Sequence, residues 1–335
     1  EPPAGTLPVD FPDPRFAVFR TESTDLRLAG EMLSFLEPAT RKIARELGTG
    51  AAWTDSVPVV FYSDPDADRL QLPAHLARHL PATNRVNGLW LDNEQTLLMT
   101  ADWGAGILVH ELVHARLFFD MLRDPRAGGY NRLPVWAGEG LAAAYEGNIR
   151  HETNSNGRAL TLLDSRHESL AAALRRQDNP GTDPADGLQD RVPTPIPPLT
   201  LDWLFGLGDQ EFIHYYQHVC GGPSIALARE WILYLREKNA VAPWLAALRA
   251  GSLSKRTSVA RIWAAKELAW KCALAVLPGL TRNEIEADFR AWILARNIAD
   301  GDALAHIERT LHLETFQLAP SAAGAGNPVP APELP

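Results

Sequence analysis

Residues 107–117, ILVHELVHARL, place two histidines four apart with a glutamate directly after the first. On a helix, residues i and i+4 lie one above the other on a single face, so His110 and His114 can direct imidazole nitrogens at one point. A zinc ion, held by histidine nitrogen at about 2.0–2.1 Å, fits that geometry. Glu111 is turned from His110 by about 100° at 3.6 residues per turn, which keeps it out of the ligand set. It can still lean towards a water on the metal, the position of a general base. In a chain of 335 residues a chance match to this pattern is on the order of one in a hundred, so context must decide.

The context favours a metal. Ile107, Leu108, Val109, Leu112, Val113, Leu117, Phe118 and Phe119 make the helix apolar on nearly every side, which predicts burial. Two histidines and a carboxylate buried there need strong partners to offset desolvation. Catalytic zinc takes three protein ligands and keeps a position for water. The next predicted helix, in LPVWAGEGLAAAYEG, carries Glu139, 25 positions after His114, as the third candidate ligand. Its flanking glycines, Gly138 and Gly140, each cost about 1 kcal/mol of helix stability relative to alanine, which suggests that bulk beside Glu139 is not tolerated.

Elements must bring these helices together. Leu26, Ala29, Leu33, Leu36, Ile43 and Leu47 keep helical spacing from Thr24 to Leu47, as one long helix kinked or split at Pro38. Val57–Tyr62 reads as a strand, and Gly88–Leu91 with Thr96–Met99 as a hairpin about Asp92-Asn93-Glu94. The metal helix is predicted from about Asp102–Ala105 to Leu122, and a second helix from Leu133-Pro134. Helical patterns follow at 161–177, 223–238, 241–250, 257–277 and 281–297, with loops at 148–160 and 178–200. The reading is an α+β fold: a half at 21–150 with a small sheet and the motif helices, then a mainly helical half at 151–318. Residues 1–20 read as an extended leader and 319–335 as a disordered, Ala/Pro/Gly-rich tail.

Composition bounds the partners. A net charge of -9 without a basic block argues against nucleic acid, and no run approaches the roughly 20 apolar residues of a membrane span. The start EPPAGTLPVDFPDP looks like that of a processed protein, so a periplasmic or secreted location is expected. Cys220 and Cys272 could pair or remain thiols.

HELVH followed by Pro-x-Trp-x-x-Glu-Gly-Leu-Ala resembles the gluzincin metallopeptidases, in particular bacterial peptidase MA-like proteins. The order of elements is similar over residues 20–300. The resemblance implies a zincin-like, thermolysin-like N-terminal half. It also implies one zinc ion on His110, His114 and Glu139, with Glu111 as base and a peptide or protein as substrate. Thermolysin-like relatives carry an aspartate four residues after the glutamate ligand to brace a histidine, where this chain has Ala143. Glu146, on a similar face, is the substitute here. The family also uses a later tyrosine or histidine to steady the oxyanion, and Tyr215, Tyr216 and His218 are the candidates. These departures motivate the rival expectation, a catalytically inactive zinc-binding or interaction protein on the same scaffold.

Two further histidine pairs serve as controls. His75 and His79 in HLARH, and His214 and His218 in HYYQH, share the spacing but have no glutamate after the first histidine. The first reads as a surface helix and the second as packing or substrate contact. Ser224 lacks a Gly-x-Ser-x-Gly elbow and an assignable base.

Overall fold

The run VPVVFY sends alternate side chains to opposite faces of a strand, and in the computed structural model it forms the centre of a five-stranded sheet. The structure describes residues 3–33, 36–47, 56–62, 64, 68–69, 71–78, 88–100, 105–122, 133–146, 162–180, 195–219, 222–251 and 259–296. Strands β1 (Leu7–Val9), β2 (Phe16–Arg20), β3 (Val57–Tyr62), β4 (Gly88–Leu91) and β5 (Thr96–Thr100) lie in the order β1-β2-β3-β5-β4. Neighbours β2, β3 and β5 run parallel, while β1 and β4 pair antiparallel at the edges.

The pleat divides the core. Val57, Val59 and Phe61 join Phe16, Val18, Leu97 and Met99 in the main hydrophobic cluster. Val60, Tyr62 and Leu98 face the other way, onto a smaller cluster with Leu72, Leu76 and Ala77 of the short helix α3 (Ala74–Ala77) and the residues before it. The expected leader is thus corrected: residues 7–9 and 16–20 are sheet, because Phe16 and Val18 are buried and β2 pairs with β3 along its length. The proline-rich stretch between them hid a short edge hairpin.

The helix expected over residues 24–47 is described as α1 (Leu26–Leu33) and α2 (Leu36–Glu46), on either side of residues 34–35, which lie outside the described residues. The chain is helical from Leu36 through Pro38 to Glu46, so the expected split at Pro38 is not seen. Helices α4 (Ala105–Leu122) and α5 (Val135–Tyr145) carry the two motifs. Pro134 is the cap of α5, one residue before the expected first turn.

The helical half follows as α6 (Leu162–Asp178), α7 (Leu201–Gly206), α8 (Asp209–Gln217), α9 (Pro223–Glu237), α10 (Val241–Ala250), α11 (Val259–Val276) and α12 (Arg282–Ala295). Helices α7 and α8 are additions to the sequence reading. The Thr200 hydroxyl accepts from the Trp203 amide at 3.0 Å, and both Glu286 carboxylate oxygens accept from the Leu201 amide at 2.9 Å, so α12 supplies the cap that a six-residue helix needs. Helix α9 is the hub. It is buried along most of its length, and Trp136, Phe205, Trp231, Trp244 and Trp270 pack as aromatic core around it. Among the described residues no helix is long and apolar enough to cross a membrane. The expected tail 319–335, the loop at 148–160, His79 and Cys220 lie outside the described residues; Cys272 is a buried free thiol.

Candidate metal centre

Strand β4 packs on helix α4 at Gly88, where a Cβ would stand 2.6 Å from the Ile107 side chain at Cγ2. That close approach brings the edge strand onto the motif. The Trp90 amide donates to Glu111 Oε2 at 2.7 Å, so one carboxylate oxygen of the predicted base is pinned by the backbone. Phe118 and Phe119 pack on the Trp90 ring and hold this contact in place.

One turn of α4 sets His110 and His114 side by side, with their Nε2 atoms 3.2 Å apart. Helix α5 crosses α4 and presents Glu139 to both: Oε2 lies 3.4 Å from His110 Nε2 and Oε1 lies 3.4 Å from His114 Nε2. Among the described residues these three form a group whose ligand atoms all lie within 4.8 Å of one another, and they could hold a metal ion. Burial works against charge on His110, but Glu139 and Glu146 outweigh it and hold its pKa well above the ordinary histidine value. Burial likewise opposes an ionised Glu139, yet His114 and His110 draw its pKa down to about 2. Two imidazole nitrogens and a carboxylate thus converge in a donor set that could hold a cation.

The two glycines beside Glu139 differ. At Gly138 a Cβ would meet nothing within 4 Å, so that part of the expectation is overturned. At Gly140 it would lie 2.9 Å from the Ala228 carbonyl oxygen and 3.0 Å from Ala228 Cβ. What excludes bulk is the backbone of α9 behind the helix, not the space beside the carboxylate.

On the other side of His110, Nδ1 faces Glu146 Oε2 at 3.5 Å, and the same oxygen accepts from Arg166 Nη1 at 2.7 Å. Glu146 is buried, and burial would raise its pKa, but Arg166 and His110 reverse the sign and lower it. Arg166 was missed by sequence reasoning. One signal was present: Arg166, Leu170, Ala173 and Leu174 share the i, i+4, i+7, i+8 face of α6 that is otherwise buried and apolar.

A cleft of about 490 Å³ opens over the site, lined by β4, both motif helices, Arg166 and Tyr216. Of the three oxyanion candidates, Tyr216 lines this cleft. Tyr215 packs its ring on Trp203 and His214, and His218 lies exposed beyond the end of α8; neither lines the cleft. Tyr216 is placed by two contacts of its helix. Asp209 Oδ1 accepts from the Val135 amide at 3.3 Å, joining the start of α8 to the start of α5. At the other end Gly222, at φ 51°, turns the chain into α9 in a left-handed conformation that favours glycine, and a Cβ there would crowd the Tyr216 carbonyl oxygen at 3.2 Å. Burial raises the Tyr216 pKa, so its hydroxyl stays protonated at neutral pH.

The control pairs remain apart from any such group. His75 is exposed on α3, and the exposed rings of His214 and His218 lie 5.8 Å apart. Ser224 is buried and donates to the Phe212 carbonyl at 2.8 Å, a structural bond between α8 and α9. No protein-family model matches the chain, and no curated protein matches it.

Proposed function

We propose that this chain is a zinc-dependent metallopeptidase of the gluzincin type on a zincin-like scaffold. His110, His114 and Glu139 would hold one zinc ion, Glu111 is the general base, and the substrate is a peptide or protein. The observation that carries the reading is the spacing of the donor atoms: the two Nε2 atoms stand 3.2 Å apart, and each has a Glu139 carboxylate oxygen 3.4 Å away, Oε2 for His110 and Oε1 for His114. Tetrahedral donors about 2.0–2.1 Å from zinc stand about 3.3 Å from each other. Two imidazole nitrogens and one carboxylate also match zinc in donor chemistry, and three protein ligands are the number a catalytic site uses. A bound zinc supplies Lewis acidity, polarising a carbonyl and lowering the pKa of water from about 15.7 towards about 7.

The chain's own residues supply the rest. With Oε2 of Glu111 engaged by the Trp90 amide, Oε1 accepts the proton of the attacking water and returns it to the leaving amine. The protonated Tyr216 hydroxyl donates to the oxygen on which negative charge develops. Leu89, Ile107, Leu117 and Phe118 give the cleft an apolar wall for a substrate side chain.

The test is zinc content after reconstitution, together with hydrolysis of a mixed peptide library, for wild type, Glu111→Gln and His110→Ala. Wild type is expected to hold one zinc and cleave. Glu111→Gln should keep the zinc and lose about 10²–10⁴-fold in rate, and His110→Ala should lose both. If zinc-loaded wild type cleaves nothing that Glu111→Gln leaves intact, the protein is a zinc binder without peptidase activity.

A further inference from the structure

Among the described residues that line the cleft, Arg166 is the one arginine or lysine, and two roles compete for it. As an anchor for an anionic substrate group it would need to present unopposed charge to the cleft. Its guanidinium is instead 17% exposed and engaged with Glu146 at 2.7 Å, while Glu146 itself is 1% exposed. The pair is neutral and its acid is sealed in. As a contribution to stability the pair is weak, because buried ion pairs rarely outdo apolar side chains of similar volume.

We propose that Arg166 is a positioning residue for the metal centre, acting through Glu146 on His110. The inference rests on the zinc reading and goes beyond it. Glu146 Oε2 faces His110 Nδ1 at 3.5 Å, and among the described residues this buried nitrogen has no hydrogen-bond partner. A carboxylate there accepts the Nδ1–H, which leaves the Nε2 lone pair for the metal and fixes the plane of the ring. Glu146 is the C-terminal cap of α5: its amide still donates to the Ala142 carbonyl at 2.9 Å, while its ψ of 86° leaves the helix. Its carboxylate is held from α6, by Arg166 Nη1 at 2.7 Å.

The position of Arg166 is itself held from the next residue. His167 lies 3.4 Å, through Nδ1, from Glu230 Oε2, and its Nε2 stands 3.1 Å from the Arg296 carbonyl oxygen. Glu230 is fully buried and also paired with Arg229 and with Arg296, the latter at 2.8 Å. Adjacent side chains on α6 thus reach in two directions, one into a buried ionic knot with α9 and α12, the other to the carboxylate behind His110.

The experiment compares zinc affinity, by chelator competition at one pH, for wild type, Arg166→Met, Glu146→Gln and the double variant. In the zinc-loaded proteins, NMR then follows exchange of the His110 Nδ1–H with solvent. Either single variant should bind zinc about 10–100-fold more weakly and exchange this proton faster than wild type. If Arg166 acts through Glu146, the double variant binds no more weakly than Glu146→Gln alone. The double variant also removes the orphaned buried charge, so it reports even if Arg166→Met fails to fold. Losses that add in the double variant, or single variants within about twofold of wild type, would overturn the proposal while the zinc reading stands. A wild type that takes up no zinc would remove both.

Discussion

Two glycines two residues apart on the same helix offer a controlled test of how Glu139, the proposed zinc ligand, is positioned. In both Gly138→Ala and Gly140→Ala the new methyl improves helix propensity by the same amount, about 1 kcal/mol. The difference between the variants therefore isolates packing. At position 138 the methyl meets nothing within 4 Å. At position 140 it would stand 2.9 Å from the Ala228 carbonyl oxygen, 3.0 Å from its carbon and 3.0 Å from its Cβ, all rigid parts of α9. Relieving three such contacts requires α5 and α9 to separate by a few tenths of an ångström, and overpacking of this kind costs about 1–3 kcal/mol. Gly138→Ala should thus be neutral to about 1 kcal/mol more stable than wild type, and Gly140→Ala about 1–3 kcal/mol less stable than Gly138→Ala. The assay is thermal unfolding of the metal-free proteins, paired with zinc affinity. Because α5 carries Glu139, the shift at position 140 should also weaken zinc, whereas Gly138→Ala should not. Equal stability and equal zinc affinity in the two variants would refute the reasoning, since it would mean that α9 does not set the position of the ligand helix.

Two further outcomes are expected. Burial opposes charge on Glu230, but Arg229, His167 and Arg296 lower its pKa from 4.5 to about 2, a change on the order of 3 kcal/mol. A depressed carboxylate pKa stabilises above the unfolded value, so this contribution is complete above about pH 4.5 and is lost as pH falls towards 2. The stability gap between wild type and Glu230→Gln should close over that range in thermal unfolding; a gap that stays constant from pH 6 to 2.5 contradicts the assignment. At the cleft, Tyr216→Phe should lower kcat by about 10²–10³-fold with KM little changed, while Tyr215→Phe, whose ring packs on Trp203 and His214, should leave both near wild type. Similar losses in the two tyrosine variants would remove Tyr216 from the mechanism.

How much was legible in the sequence depends on the range of the interaction. Spacing within one helix is a local property, so the pairing of His110 with His114 could be read directly from ILVHELVHARL, and strand alternation placed β3 and the β4–β5 hairpin. Glu139 was reachable because burying a carboxylate in an apolar helix is costly unless a cation or hydrogen bonds compensate it. Helices α7 and α8 and the strands at 7–9 and 16–20 were not, because their caps and pairing partners lie far along the chain, at Glu286 for α7 and in β3 for β2.

The amino-acid sequence by itself determined the donor chemistry: two imidazoles one turn apart, a carboxylate between them and another carboxylate on the next helix. Helical geometry allows that pattern little freedom. Tertiary structure alone decided what surrounds it. Only the packing of β4 on α4 at Gly88 engages Glu111 with the Trp90 amide, and only the approach of α9 explains Gly140. Only the docking of α6 puts Arg166 behind Glu146, and only the packing of α8 brings Tyr216, and neither Tyr215 nor His218, to the cleft. Each of these contacts joins residues on different elements, so their distances follow from how whole elements pack and are written in no single stretch of sequence.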